Sequence, residues 1–414
     1  MTFFRFIFPI IILTFQFAID SYVLKNWKNY ARRNKWDKLY YKVPNILKYV
    51  FLIASAILFA RRAFEPSMDP ISGWTLSVVS IWYLPKLIIF PFILIKDIVR
   101  GVAFVIDKIH KKDEIDKIEE GDKETVDKGR REFVSGAGWT LAGAPFIMTA
   151  NGALNTVRNI KVNYVDLPIN NLPINFENYS IAQISDIHSG SFYDDRMIRH
   201  TRNTIDKINP DSIVTTGDFV NFDPREFDHV YKEFSKFSAR DGIYSCLGNH
   251  DHYMSVGDHE NLKDMINSSG LNLLVNETAI IEKNGQYLNI AGVDNTGRGQ
   301  TFGDFNKVNN NIDKDYPSIL LCHDPENWEK RIIDKTDFDV TLSGHTHGGQ
   351  MVFNFLGAKF SPVSMVYKHW IGKYQHKDQT LYINTGLGTV GPRIRVGVPP
   401  EITVFRLKGI GNRV

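Results

Sequence analysis

Cysteine is nearly missing: Cys246 and Cys322 are the only two in 414 residues. Each lies in an apolar run, which suits a buried strand thiol better than a disulfide, and two cysteines do not declare a redox compartment. Excess charge of one sign is also missing. The 49 Lys and Arg against 46 Asp and Glu leave a net charge of +3, with the basic excess at the front end. A nucleic-acid surface would need a basic face on the globular part, so no nucleic-acid partner is expected. No internal repeat or low-complexity segment interrupts the chain. The first apolar segment is followed by a basic stretch and not by a small-residue cleavage site, which argues against a removed leader.

The chain does have length and apolar runs. Its 414 residues should hold two or three units. Residues 3–24 are almost wholly apolar and aromatic, and about 20 such residues in a helix cross ~30 Å of hydrocarbon. Ile46–Phe59 gives a second span, and Trp74–Ile95, interrupted by Pro85, Lys86 and Pro91, a third. Phe133–Ala150, richer in Gly and Ala, gives a fourth. A buried core helix is the alternative for each and suits the fourth best.

Positive loops set the orientation expected of these spans. Lys25, Lys28, Arg32, Arg33, Lys35, Lys38 and Lys42 lie between the first two, opposed mainly by Asp37. Lys108–Arg131 lies between the third and fourth and mixes many Lys with acids. Both loops fit the cytoplasm, so the fourth span leads the C-terminal domain out of it. Arg130-Arg131 also resembles a twin-arginine export signal, and that alternative puts the domain on the same side. The expected division is 1–107 membrane region, 108–132 charged cytoplasmic linker, 133–154 fourth helix or export-like segment, and 155–414 catalytic domain. The protein is then expected in the cell membrane, multi-pass, with its catalytic domain extracytoplasmic.

From about Ile160 short apolar strands alternate with polar, helix-compatible stretches such as Arg196–Ile208, Arg225–Ser238 and Glu260–Ser268, an α/β pattern. Five short motifs each come directly after one of the apolar runs: Asp186-Ile-His188, Gly217-Asp218, Gly248-Asn-His-Asp251, His323, and Gly344-His-Thr-His347. Residues in loops after strands converge on one sheet edge, where α/β folds place their sites. Carboxylates, an Asn carbonyl and imidazoles offer donors for two adjacent divalent cations. They suit Mn²⁺, Fe²⁺ or Zn²⁺, and the lack of thiolates argues against a structural zinc. A late glycine-rich loop, Asn384–Gly388, precedes Arg393 and Arg395. Either arginine is a candidate for a bidentate contact with a substrate phosphate, with a solvated turn as the alternative. His252 and His259 are expected at the surface.

In this order the motifs resemble those of the calcineurin-like metallophosphoesterases. The ending Gly344–Gln350 is similar to that of the bacterial branch with membrane segments or export signals, which includes UDP-diacylglucosamine pyrophosphatase-like enzymes. The resemblance covers roughly residues 155–408. It implies a four-layer αββα sandwich, two mixed sheets between helices, here preceded by transmembrane helices. It also implies that Asp186, His188, Asp218 and His347 hold one metal ion, and Asp218, Asn249, His323 and His345 the other. A water or hydroxide between the ions would attack phosphorus. His250 would stabilise the transition state or protonate the leaving oxygen, with Asp251 orienting its imidazole. Where the family often has a second acid, this chain has Asn221, so the support of that loop is open.

The expected activity is metal-dependent phosphoester hydrolysis of phosphodiesterase or pyrophosphatase type, on a lipid-linked substrate and in contact with membrane lipids. The same chemistry on a soluble phosphoester is one alternative, and a membrane sensor or scaffold that keeps the fold without turnover is another.

Overall fold

A computed structural model describes residues 7–64, 70–113 and 128–410. Most of the charged stretch expected as a linker falls outside them. The chain divides into two units, Met1–Glu65 with Trp74–Asn151, and Pro66–Gly73 with Gly152–Val414.

The first unit is helical: α1 (Phe8–Arg33), α2 (Leu39–Phe64), α3 (Pro70–Asp113) and α4 (Lys128–Leu154). Among the described residues, three helical segments are long and apolar enough to cross a membrane: Phe8–Arg33, Leu39–Arg62 and Ile71–Ile106. The interruption expected at Pro85, Lys86 and Pro91 does not break α3, which runs through all three. Intramembrane helices tolerate such prolines because neighbours re-satisfy the freed backbone groups. The expected fourth span lies within α4, which is helical but outside the apolar set. Ile19 and Val23 of α1 pack on Ile89 and Ile93 of α3, with Trp139 and Phe146 of α4 against them. Near the middle of this packing Asp20 pairs with Lys86, both buried, and the Trp82 indole donates to Asp20 at 3.0 Å. Trp27 meets Trp36 and Trp139 with ring centroids 5.4 and 5.0 Å apart.

The second unit opens with β1 (Lys161–Asn170) and β2 (Ser180–Ile184). It continues through α5 (Arg196–Ile208), β3 (Ser212–Thr216), α6 (Asp228–Phe234), β4 (Ile243–Cys246), α7 (Val256–Ser268) and β5 (Asn272–Leu273). The second half holds β6 (Glu277–Lys283), β7 (Gln286–Gly292), β8 (Thr296–Gly297), β9 (Gln300–Thr301), α8 (Phe305–Asn311) and β10 (Ser318–Leu321). Last come β11 (Val340–Ser343), β12 (Phe353–Phe355), β13 (Ala358–Phe360), β14 (Gly372–His376), β15 (Gln379–Ile383) and β16 (Glu401–Ile410).

Two six-stranded mixed sheets result, ordered β1-β16-β2-β3-β4-β5 and β14-β15-β11-β10-β7-β6. Strand alternation sends one set of side chains between the sheets and the other toward helices. Ile181, Val214 and Cys246 of the first sheet meet Ile290, Ile319 and Leu342 of the second in one buried cluster. Ala182 and Ile184 point the other way, among Ile198 and Ile205 of α5 and Leu262 of α7. Leu320 packs on the far side of the second sheet with Val308 and Trp328. This is the expected αββα sandwich. Helix α5 matches its expected span residue for residue, whereas Arg225–Ser238 shortens to α6 behind a 3₁₀ turn, Pro224–Phe227.

Candidate metal centre

Every motif lies where a parallel strand ends: after β2, β3, β4, β10 and β11. The loops turn so sharply that Asp186, His188, Asp218, His345 and His347 all have left-handed backbone, φ 42° to 72°. That conformation is uncommon outside glycine, and such strain collects at functional sites. Two neighbouring glycines are required by space. A β-carbon on Gly248 would overlap the Asp218 carboxylate, and one on Gly344 would overlap Ser185 and Asp186.

Asp218 lies between two histidine pairs. Its Oδ2 is 3.4 Å from His188 Nε2 and 3.1 Å from His323 Nε2, and its Oδ1 accepts the His250 backbone N–H at 2.8 Å. His188 Nε2 faces His347 Nε2 at 3.1 Å, and His323 Nε2 faces His345 Nδ1 at 3.2 Å. Asp186 Oδ1 is 3.3 Å from His347 Nε2. The groups able to hold an ion are Asp186/His188/His347, Asp218/His323/His345 and His188/Asp218/His250.

The donor set fits divalent cations on observations of its own. The Nε2 atoms of His188 and His347 converge at 3.1 Å with Asp218 Oδ2 3.4 Å from the one and Asp186 Oδ1 3.3 Å from the other, four donors gathered where one ion could use them together. The buried Asn249 Oδ1 has no hydrogen-bond partner, while its Nδ2 donates to the Tyr253 hydroxyl at 2.9 Å. A buried acceptor left unmade is costly. A cation satisfies both arrangements.

The electrostatics agree. Burial pushes the Asp186 carboxyl up to about 6 and the His188 imidazole down to about 3. Burial also pushes His345 and His347 well below the usual histidine range, which keeps both neutral and able to donate lone pairs. Burial acts downward on His323 too, but the charge of Asp218 and its hydrogen bond overcome this and raise it to about 10. Conversely, burial would raise Asp218, and His323 with His250 hold it well below the carboxylate range. Asp218 and His323 thus shift in opposite directions, each favouring the charge of the other, and a bound dication would supply the positive charge that Asp218 calls for.

Surrounding atoms fix the rings. His323 Nδ1 donates to the Thr216 carbonyl at 2.6 Å, leaving Nε2 for the centre. His250 Nδ1 donates to the Asn221 carbonyl at 2.8 Å. His345 Nε2 meets the Tyr367 hydroxyl at 2.8 Å. Outer partners of this kind orient metal-binding imidazoles. Thr216 adjoins the Gly217-Asp218 motif, but Tyr367 sits in no motif and nothing in the sequence marks it. Asn221 also finds its acid: Glu226 Oε2 accepts the Asn221 N–H at 2.6 Å, standing in for the missing second carboxylate.

Three expectations need correction. Asp251 does not touch the His250 ring. Its carboxylate accepts the backbone N–H groups of Gly248, Asp218 and Phe219 at 2.8–2.9 Å and that of Val220 at 3.3 Å. Arg395 faces no solvent. Its guanidinium donates to the carbonyls of Thr385, Gly386 and Gly388 and lies 3.4 Å from His347 Nδ1, so it is a buried brace and not a substrate contact. Arg393 is half-buried, its guanidinium 4.8 Å from the centre of the Tyr193 ring. His252 and His259 are half-buried and not freely exposed. His252 bonds Asp294 at 2.8 Å and stacks on Phe302 and His259.

Fold and donor set together define a metal-dependent phosphoester hydrolase. Residues 179–349 match the family model of the calcineurin-like phosphoesterases, and residues 4–156 match one described as "Probable Calcineurin-like phosphoesterase, transmembrane domain". An uncharacterised metallophosphoesterase of Campylobacter jejuni, Cj0846, is 26% identical over 407 residues, covering 97% of this chain and 98% of its own. YkuE of Bacillus subtilis, likewise an uncharacterised metallophosphoesterase, is 30% identical over 293 residues, 67% of this chain and 97% of its own. The phosphodiesterase YaeI of Escherichia coli is 24% identical over 230 residues, 55% of this chain and 82% of its own. The chain belongs to the calcineurin-like metallophosphoesterases and carries a membrane-associated region ahead of the catalytic domain.

Proposed function

We propose that the protein is a multi-pass membrane phosphodiesterase or pyrophosphatase that uses two divalent ions, Mn²⁺, Fe²⁺ or Zn²⁺, to hydrolyse a lipid-linked phosphoester outside the cytoplasm. The observation that carries the two-ion reading is the position of Asp218 between two facing histidine pairs. Asp186, His188, Asp218 and His347 would hold one ion, and Asp218, Asn249, His323 and His345 the other. When bound, such ions draw in phosphoryl oxygens and lower the pKa of a nucleophilic water.

The chain's own residues do the rest. With Nδ1 tied to Asn221, His250 keeps Nε2 free on the side of His188 and Asp218. It is the group placed to give a proton to the leaving oxygen. Arg395 keeps the loop beside His347 in place.

Basic residues at the end of α1, in the short turn after it and at the start of α2 support a cytoplasmic side there, and the cluster of Trp27, Trp36 and Trp139 suits a membrane–water interface. An export-dependent reporter fused after Val414 should be active, and one fused within residues 108–128 silent. The reverse pattern overturns the orientation.

The substrate is tested with metal-supplemented full-length protein on lipid phosphoesters in vesicles, cyclic nucleotides and chromogenic diesters. Hydrolysis confined to the soluble compounds ends the lipid-linked reading. Full activity in Asp218→Asn ends the two-ion reading.

A further inference from the structure

Between the last metal motif and strand β14 the chain makes an excursion that the catalytic chemistry leaves unused. It begins beside the centre, where the Val352 N–H donates to the Val396 carbonyl at 2.8 Å. It returns through Ser361, whose hydroxyl donates to the Gly348 carbonyl at 2.9 Å, and ends at Tyr367 on His345. The part between is the β12–β13 hairpin, in which Phe353 pairs with Phe360 and Phe355 with Ala358.

Its surface is the wrong one for water. Leu356 is 93% exposed, Met365 80%, Phe355 77% and Val366 66%, with Phe360 half exposed. The two-residue turn, Leu356-Gly357, has φ of 50° and 88°. Hairpin turns with positive φ favour Asn, Asp and Gly, and a bulky residue there is strained. Folding gives no reason for a leucine at that tip. Exposed apolar patches of this kind mark a protein or membrane contact.

Two observations choose the membrane. The same chain supplies helices long and apolar enough to span a bilayer, so lipid is always at hand. From residue 340 to residue 377 there is no Asp or Glu, while Lys359, in the hairpin itself, is exposed. A cation beside an apolar tip, with no acid in the same stretch, complements an anionic lipid surface.

We infer that the β12–β13 hairpin, with the Met365-Val366 turn beside it, is a lipid-docking element that inserts into the bilayer interface next to the metal centre. It depends on membrane association and not on the lipid-linked substrate proposed above.

The test uses full-length protein in vesicles containing an anionic phospholipid. A Leu356→Cys variant carries an environment-sensitive fluorophore, because the native Cys246 and Cys322 are buried and do not compete for label. An Asp378→Cys variant serves as the solvent control. Blue-shifted emission, quenched by a shallow spin-labelled lipid at position 356 but not at 378, is the expected result. Water-like emission at 356 overturns the inference. So does a blue shift that lipid spin labels fail to quench, or disulfide pairing of two Leu356→Cys chains, because the patch would then be covered by protein. The Phe355→Asp/Leu356→Asp variant should keep its rate on a soluble diester and lose lipid quenching at a labelled Met365→Cys. A tip found in lipid beside an enzyme that ignores lipid phosphoesters would uphold docking and end the substrate reading.

Discussion

The Asp251 carboxylate accepts the backbone N–H of Asp218 at 2.9 Å, so one acid of the Gly248–Asp251 motif fixes the position of another 33 residues earlier. The same carboxylate also takes the N–H groups of Gly248 and Phe219, binding the loops after β3 and β4 into one piece.

Asp251→Ala should therefore act on stability and metal retention together. It strands several buried N–H donors, each worth about 1–3 kcal/mol. Thermal denaturation should show a large loss, and metal affinity should fall ~10–100-fold as it does when outer support is removed. A variant with normal metal content, normal melting and a rate defect alone would contradict this role.

His250→Ala should behave in the opposite way. The ring is held by Asn221 and Asp218 is still supported, so metal content should stay near normal while turnover falls ~10²–10⁴-fold. Metal analysis showing the ions lost would make His250 a ligand instead of a proton donor.

Arg395→Met should destabilise the protein by about 2–4 kcal/mol, since three carbonyls lose a charged donor. Any folded fraction should keep its KM. Arg395→Lys should not restore stability, because a compact ammonium cannot reproduce the spread of a guanidinium. A KM defect without a melting defect would return Arg395 to substrate binding.

In the helical unit, Asp20→Ala should inactivate the protein at lower temperature in detergent, with a penalty of about 3–5 kcal/mol for leaving Lys86 buried without its partner. The double variant Asp20→Asn/Lys86→Met should recover most of that loss. No recovery would show that the pair does more than hold α1 to α3.

The donors of the centre were legible because each sits in a loop directly after an apolar strand, a pattern local to a few residues. The αββα class was legible for the same reason. What the sequence hid was long-range. Arg395 looks like a ligand for phosphate until the carbonyls of Thr385, Gly386 and Gly388 are seen to converge on it. Asp251 looks like a partner for its neighbour His250, but the N–H groups it satisfies come mostly from another loop. Tyr367 reaches His345 only because the chain folds back after an excursion of about twenty residues. Burial of backbone polar groups decides such roles, and it is set by the whole fold.

Strand β16 lies between β1 and β2, pairing Lys161 with Glu401 on one side and Ile181 with Phe405 on the other. The first two strands made by the ribosome in this unit therefore have no completed edge until residues 401–410 have emerged. Parallel pairing across some 240 residues is slow to form. The order of synthesis thus leaves the facing edges of β1 and β2 unpaired until residues 401–410 are made, so the catalytic sheet waits, half-assembled, for β16.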